Sequence, residues 1–221
     1  MTLSRIAREV KTSATLAITA KAKQLAAKGI DVIGFGAGEP DFDTPENVKN
    51  AAIKAIKDGY TKYTPTAGAP ALKEAICEKL LKDNNLKYKP SQIIVSAGAK
   101  QAILNIVLVV CDTGDEAIIP SPYWVSYPEM VVMAGAKPVF IETTDKENFK
   151  ITKELLAKAL TPRTKLLFIN SPNNPTGMVY TEKEIREIVG FAVEKGLYVI
   201  SDEIYEKVLY DSVKHFSPAI I

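Results

Sequence analysis

The chain has 221 residues, of which 47% are hydrophobic and 24% are charged, so it can bury a sizeable core and form one or two globular domains. Its net charge of +2 gives no support to nucleic-acid binding or to a role at a membrane surface. Cys77 and Cys111 form no zinc-binding pattern, which favours a reducing, cytoplasmic setting with two buried structural thiols.

The first part of the chain predicts an arm, a helix and a strand. Residues 1–13 are polar and basic and are typical of an arm. The alanine-rich stretch Ala14–Lys28 carries lysines and ends before Gly29, which predicts an amphipathic helix rather than a signal peptide or a membrane span. Ile30–Phe35 predicts a strand. Alternate glycines at Gly34–Gly38 resemble a dinucleotide-binding loop only weakly, and either a plain turn or a close backbone approach to a ligand fits them.

From residue 92 to residue 205 strands and helices alternate. This order is typical of an α/β fold with a mostly parallel sheet and helices on both faces, a three-layer α/β/α arrangement. Two helices precede this region, one capped by Thr44 with Pro45 at its first position and ending at Gly59, and one over Ala69–Asn84. The predicted strands are Gln92–Val95, Ala117–Ile119, Pro138–Glu142, Leu166–Ile169 and Leu197–Ile200. The predicted helices between them are Lys100–Val110, Trp124–Ala134, Lys153–Leu160 and Glu182–Lys195.

Two of these strands end in polar residues suited to a ligand site. Leu166–Ile169 runs into SPNNPTG, and Thr181 with Glu184 then forms a capping box for the next helix. Asp202 lies just past the end of the next strand, Leu197–Ile200, and Tyr205 comes shortly after it. Because ligands of α/β sheets bind at the carboxyl ends of the strands, these residues predict a site there.

Three further features have both a structural and a functional interpretation. The small-residue turn Ser96–Lys100 leads into a helix, so it is either a plain tight turn or an anion site at the helix N-terminus. Trp124, the only tryptophan, is either a core residue or a flat apolar partner for an aromatic ligand. Asp202 is preferred over the adjacent Glu203 as the inward-facing acid, because alternate strand residues point to opposite faces.

Together these stretches resemble the class I aminotransferases, which are pyridoxal-phosphate enzymes of fold type I, and most closely the bacterial-type aspartate aminotransferases. The resemblance runs along the whole chain and rests on six segments: GAGEPDFDTP, YTPTAG, SAGAKQAI, SPYWVSYPEM, SPNNPTG and SDEIY. It implies that residues 1–45 form an N-terminal arm and part of a small domain, and that residues 46–221 form an incomplete cofactor-binding large domain. It also implies a cytoplasmic homodimer acting on an amino acid and a 2-oxo acid, aspartate and 2-oxoglutarate being expected.

The resemblance also implies individual roles for residues. The implied pyridoxal-phosphate ligands are Gly98, Ala99, Lys100, Trp124, Asn174, Asp202, Tyr205 and, from the neighbouring subunit, Tyr63. The implied substrate ligands are Gly38, Trp124, Asn174, Lys100, Ser13 and Thr15. Asp202 would hold the pyridine nitrogen protonated, and Asn174 with Tyr205 would donate to the phenolate oxygen of the cofactor.

The chain departs from the family pattern in one respect. No SK-type lysine for a Schiff base follows SDEIY before Ile221, so no catalytic residue is assigned and we expect the N-terminal part of an enzyme, inactive alone. Two alternatives stay open, a non-catalytic cofactor-binding or dimerising module and another fold-type I enzyme such as an aromatic or prephenate aminotransferase or a C–S lyase. His215, the only histidine, is interpreted as structural, and no metal site is predicted.

Overall fold

The computed structural model describes residues 2–36 and 38–221, and its centre is a sheet of four parallel strands. They are β1 (Glu116–Ser121), β2 (Lys137–Glu142), β3 (Thr164–Asn170) and β4 (Tyr198–Asp202). The spatial order is β2-β1-β3-β4, and every neighbouring pair is parallel. The predicted parallel sheet is therefore confirmed, and all four carboxyl ends lie at one edge.

Eight α-helices are found in the described part of the chain. They are α1 (Arg5–Glu9), α2 (Ala14–Ala26), α3 (Glu46–Lys57), α4 (Pro70–Asn84), α5 (Ala99–Val110), α6 (Ser126–Met133), α7 (Lys153–Ala159) and α8 (Glu182–Glu194). Of these, α5 and α6 pack on one face of the sheet, and α7 and α8 pack on the other. The predicted three-layer α/β/α class is confirmed. None of the described helices combines the length and the apolar character needed to cross a bilayer.

Alternation along the strands builds the two halves of the core. Leu166 and Phe168 of β3 pack towards α5 and α6, whereas Leu167 and Ile169 pack towards α7 and α8. All four side chains are buried, because a parallel sheet covered by helices has no solvent-facing side. The apolar run that predicted this strand is thus explained by burial on both faces.

The chain divides into two compact units, residues 12–69 and a larger unit of residues 2–11 with 70–221. The sheet and α4–α8 belong to the larger unit, and α2 and α3 belong to the smaller. Within the smaller unit, a Cβ at Gly36 would lie 2.7 Å from the Cγ2 of Ile18, so this glycine allows a close approach to α2. The domain boundary predicted after residue 45 stays a prediction.

Two predicted strands are wrong. Neither Ile30–Phe35 nor Gln92–Val95 has strand structure, and neither pairs with β1–β4. Ile33 and Ile94 are 79% and 73% exposed, so their apolar side chains are not covered as a buried strand requires. An apolar, β-branched run forms a strand only where a neighbouring strand accepts its backbone hydrogen bonds.

Several local predictions about helix ends and cysteines can also be compared with the structure. The Thr181–Glu184 capping box of α8 is present as predicted. Pro45 is the N-cap of α3 rather than its first residue, and Trp124 precedes α6. Cys111 is buried, and burial raises the pKa of its thiol, whereas Cys77 is only half-buried.

Candidate functional site

The carboxyl ends of β3 and β4 are joined by a polar network. Asn170 and Asp202 are register partners at the last rung of the ladder. The Asn170 side-chain amide donates to the Asp202 carbonyl oxygen over 2.9 Å, and its Oδ1 accepts from the Asn174 backbone N–H over 2.8 Å. Asn170 therefore ties the SPNNPTG loop to the end of β4. This fixes the position of Asn174 beside Asp202.

The Asp202 carboxylate is a buried acid, and among the described residues its hydrogen-bond donors are neutral. Its Oδ2 accepts from the Tyr127 hydroxyl over 2.7 Å, and its Oδ1 accepts from the Ile204 backbone N–H over 3.2 Å. Asp202 is 9% exposed and forms no ion pair with any described residue. Burying a carboxylate without a cation is costly, so such a group indicates a site for a positively charged ligand atom.

Tyr127 was not predicted as a site residue, but it holds this acid. Its side chain is 2% exposed, and its ring lies edge-on to Trp124 at 5.4 Å and against Phe168 at 4.9 Å. Burial first, and then the hydrogen bond to Asp202, raises the pKa of Tyr127, so its hydroxyl remains a proton donor. The sequence held one signal: Tyr127 follows Trp124 by three residues in the predicted helix Trp124–Ala134, and residues three apart on a helix lie on one face.

A cleft of about 170 Å³ opens in front of these groups. One flank is Trp124, with the Lys100 ammonium 5.1 Å from its ring centroid. The cleft is lined by Ala99, Trp124, Tyr127, Asn170, Asn174, Asp202, Ile204 and Tyr205. Five of the predicted cofactor ligands, Ala99, Trp124, Asn174, Asp202 and Tyr205, thus meet at one cleft, and Asn170 is a second residue that sequence reasoning missed.

The N-terminus of α5 faces the same cleft through Ala99 and offers free backbone donors. Gly98 precedes the helix with φ +83° and ψ 169°, and no side chain caps the first turn. The first turn also contains no acidic residue. Uncapped amides at the positive end of a helix dipole bind anions such as phosphate. The turn Ser96–Lys100 therefore has the features that a phosphate cradle needs.

Four of the predicted site residues belong to the smaller unit. Ser13 caps α2, where its hydroxyl accepts from the Leu16 N–H over 3.3 Å, and Thr15 lies in the first turn of the same helix. Gly38 is exposed, and Tyr63 is fully exposed to solvent. The roles predicted for Ser13, Thr15, Gly38 and Tyr63 stay predictions.

Glu203 points away from Asp202, as strand alternation predicts. One of its oxygens contacts His215 Nε2 at 2.6 Å, and the other accepts from the Ser201 and Ser217 hydroxyls. Folding thereby places Glu203 beside His215, 12 residues further along the chain, and Glu206 also lies in this cluster. The ammonium of Lys79 contacts Glu206 and supplies a positive charge there.

Comparisons with known proteins show the family to which the chain is similar. Residues 30–220 match the family model described as aminotransferase class I and II. The chain is 57% identical to the aspartate aminotransferase of Bacillus sp. (strain YM-2), over 98% of this chain and 56% of that protein. It is 50% identical to the aspartate/prephenate aminotransferase of Thermus thermophilus, over 98% of this chain and 56% of that protein.

A structural comparison gives the same result. The aspartate aminotransferase of Thermus thermophilus solved with maleate superimposes with a TM-score of 0.96 and 50% identity, over 99% of this chain and 57% of that chain. The present chain therefore spans about half the length of the relatives that it matches.

Proposed function

This chain belongs to the aminotransferase class I and II family, and we propose that its cleft binds pyridoxal 5'-phosphate for transfer of an amino group between an amino acid and a 2-oxo acid. One observation carries the proposal: Asp202, a buried acid with no cation partner among the described residues, faces the same cleft as the uncapped N-terminus of α5. A ligand with a phosphate at one end and a protonatable ring nitrogen at the other satisfies both groups. Pyridoxal phosphate has this chemistry.

The residues of the cleft fit the parts of that molecule. The amides of Ala99 and Lys100 would bind the phosphate, and the Trp124 side chain would cover one face of the ring. The Asp202 carboxylate would hold a proton at the ring nitrogen, because a negative charge beside a protonated nitrogen favours the charged form. Asn174 and Tyr205 would donate hydrogen bonds to the ring oxygen.

When bound, pyridoxal phosphate supplies an electron-withdrawing ring that stabilises negative charge at the α-carbon of the substrate. The protein contributes orientation and electrostatics. The hydrogen bonds of Asn170 fix the loop that carries Asn174, and burial of Asp202 strengthens its attraction for the ring nitrogen. Trp124 would exclude water from one face of the ring.

Aspartate with 2-oxoglutarate is the proposed substrate pair. The relatives at 50–57% identity are named aspartate or aspartate/prephenate aminotransferases. The Lys100 ammonium lies 5.1 Å from the Trp124 ring, so a cation is present beside the cleft for the distal carboxylate of a dicarboxylic substrate. We also propose that the active form is a homodimer, because the fully exposed Tyr63 ring is free to contact a neighbouring subunit.

The cofactor proposal is tested by titrating the chain with pyridoxal phosphate and following the fluorescence of its one tryptophan. Stacking on Trp124 should quench the emission with a saturating curve, and Asp202→Ala should weaken binding because the ring nitrogen loses its anionic partner. Pyridoxal, which lacks the phosphate, is the control for the contribution of the α5 amides and should bind more weakly than pyridoxal phosphate. Absence of saturable quenching would overturn the cofactor proposal.

The substrate proposal needs a separate measurement. The protein is purified from the organism that produces it and assayed with a panel of amino donors and acceptors. Aspartate with 2-oxoglutarate should give the highest kcat/KM. Prephenate belongs in the acceptor screen because of the names of the relatives. Lack of activity with aspartate would refute the substrate pair while leaving the cofactor proposal standing.

A further inference from the structure

The Tyr127 hydroxyl donates to the Asp202 carboxylate at the wall of the cleft. We propose that Tyr127 is a positioning residue, which orients the Asp202 carboxylate so that it meets the ring nitrogen of the cofactor. This inference rests on the proposed function and adds to it a residue outside the set predicted from the sequence. It is carried by the 2.7 Å hydrogen bond between the Tyr127 hydroxyl and Asp202 Oδ2.

The carboxylate is held at both oxygens. Tyr127 donates to Oδ2, and the Ile204 backbone N–H donates to Oδ1 over 3.2 Å. Two donors on different oxygens fix the plane of the carboxylate and stop rotation about its terminal bond. Each carboxylate oxygen has about two acceptor positions, so acceptor capacity remains for a ligand. Asp202 is therefore set in one orientation before any ligand arrives.

Tyr127 is itself held rigidly. Its ring lies tilted against Phe168 of β3, with 4.9 Å between centroids, and it is 2% exposed. It also meets Trp124 edge-on at 5.4 Å and 87°. Tyr127 thus contacts both Asp202, the proposed partner of the ring nitrogen, and Trp124, the proposed partner of the ring face. Loss of the hydroxyl would release the acid while leaving these ring contacts in place.

The chain offers a matched control for this change. Tyr123 lies in the loop just before α6, and its ring stacks on Phe140 at 5.0 Å. No hydrogen bond joins Tyr123 to Asp202 in the described structure. Tyr127→Phe and Tyr123→Phe each remove one hydroxyl from a partly or fully buried ring, but only the first removes a donor from the acid.

The experiment compares two ligands by quenching of Trp124: pyridoxal phosphate and its analogue with carbon in place of the ring nitrogen. Tyr127→Phe should bind pyridoxal phosphate about tenfold more weakly than the parent, since a hydrogen bond to a charged group is lost. It should bind the analogue as the parent does, because the analogue has no ring nitrogen for Asp202 to meet. Tyr123→Phe should leave both affinities unchanged.

Each alternative result has a distinct meaning. Equal weakening for both ligands would show that Tyr127 only supports the wall of the cleft, and the inference would be overturned. Unchanged affinities in Tyr127→Phe would overturn it while leaving the proposed function intact. A parent chain that binds neither ligand would overturn the proposed function.

The bond itself is tested without cofactor by a double-mutant cycle. The free energies of unfolding of the parent, Tyr127→Phe, Asp202→Ala and the double variant should be non-additive by a coupling equivalent to about tenfold in the unfolding constant. Additive effects would refute the Tyr127–Asp202 bond whether or not the chain binds pyridoxal phosphate.

Discussion

Two glycine-to-alanine substitutions should change stability in opposite directions. Gly98 precedes α5 with φ +83° and ψ 169°, a region that only glycine adopts without strain. Gly190 lies inside α8. An added Cβ meets nothing within 4 Å at either position. Because steric clashes are absent at both sites, the backbone conformation alone should determine the difference between the two variants.

The magnitudes follow from that conformation. Gly98→Ala should lower the free energy of unfolding by about 2 kcal/mol, the cost of holding a residue with a Cβ in a sparsely populated backbone region. Gly190→Ala should raise it by about 0.5–1 kcal/mol, because alanine loses less conformational entropy than glycine in a helix. The two variants should therefore differ by about 3 kcal/mol.

Urea unfolding, followed by the fluorescence of Trp124, measures both changes. The same variants test the phosphate cradle. If the backbone of Gly98→Ala relieves its strain by rotating, the Ala99 amide changes direction and the affinity for pyridoxal phosphate falls, whereas Gly190→Ala should bind as the parent does. A Gly98→Ala variant with unchanged stability, or equal losses in both variants, would refute the reasoning.

Three further substitutions test the packing and electrostatics that hold the sheet. Thr181→Ala should lower the free energy of unfolding, measured with urea, by about 1 kcal/mol, because the N-cap of α8 is lost. Thr181→Ser keeps a hydroxyl at the N-cap and should therefore retain most of the stability of the parent. Leu156→Ala should cost about 3 kcal/mol by the same assay, since this side chain is fully buried between α7 and the sheet; a negligible loss would contradict its place in the core. A hydrogen bond from the Thr161 hydroxyl lowers the pKa of Glu116 below its ordinary value of 4.5. The ionised Glu116 carboxylate therefore stabilises the fold above pH 4.5, and this stabilisation is lost as the pH falls through the lower pKa of the folded state. Glu116→Gln should therefore be less stable than the parent at neutral pH, and the gap should close in acid; a gap independent of pH would refute this assignment.

Much of the larger unit could be predicted because its signals are local. The apolar run Leu166–Ile169 is buried on both faces. The capping box of α8 depends only on Thr181 and Glu184, which are close neighbours in the sequence. Asn174 follows β3 and Asp202 is the last residue of the adjacent β4, and parallel pairing brings the ends of these strands together. Sequence order and strand direction were enough to place them at one edge.

The rest depended on partners that are distant in sequence. Ile30–Phe35 and Gln92–Val95 have the composition of strands, but a strand exists only where another strand pairs with it, and no local pattern identifies that partner. Tyr127 was missed because its role comes from a hydrogen bond to Asp202 across the fold. An aromatic residue on a helix predicts packing, and only the three-dimensional structure shows which polar group its hydroxyl reaches.

The central claim is that one cleft binds the phosphate and the ring nitrogen of pyridoxal phosphate at opposite ends. A crystal structure of the chain with pyridoxal phosphate tests it most directly. We expect the phosphate within hydrogen-bond distance of the Ala99 and Lys100 amides, the ring stacked on Trp124, and the ring nitrogen facing the Asp202 carboxylate. Pyridoxal phosphate bound at another surface, or bound in this cleft with its ring nitrogen turned away from Asp202, would contradict the claim.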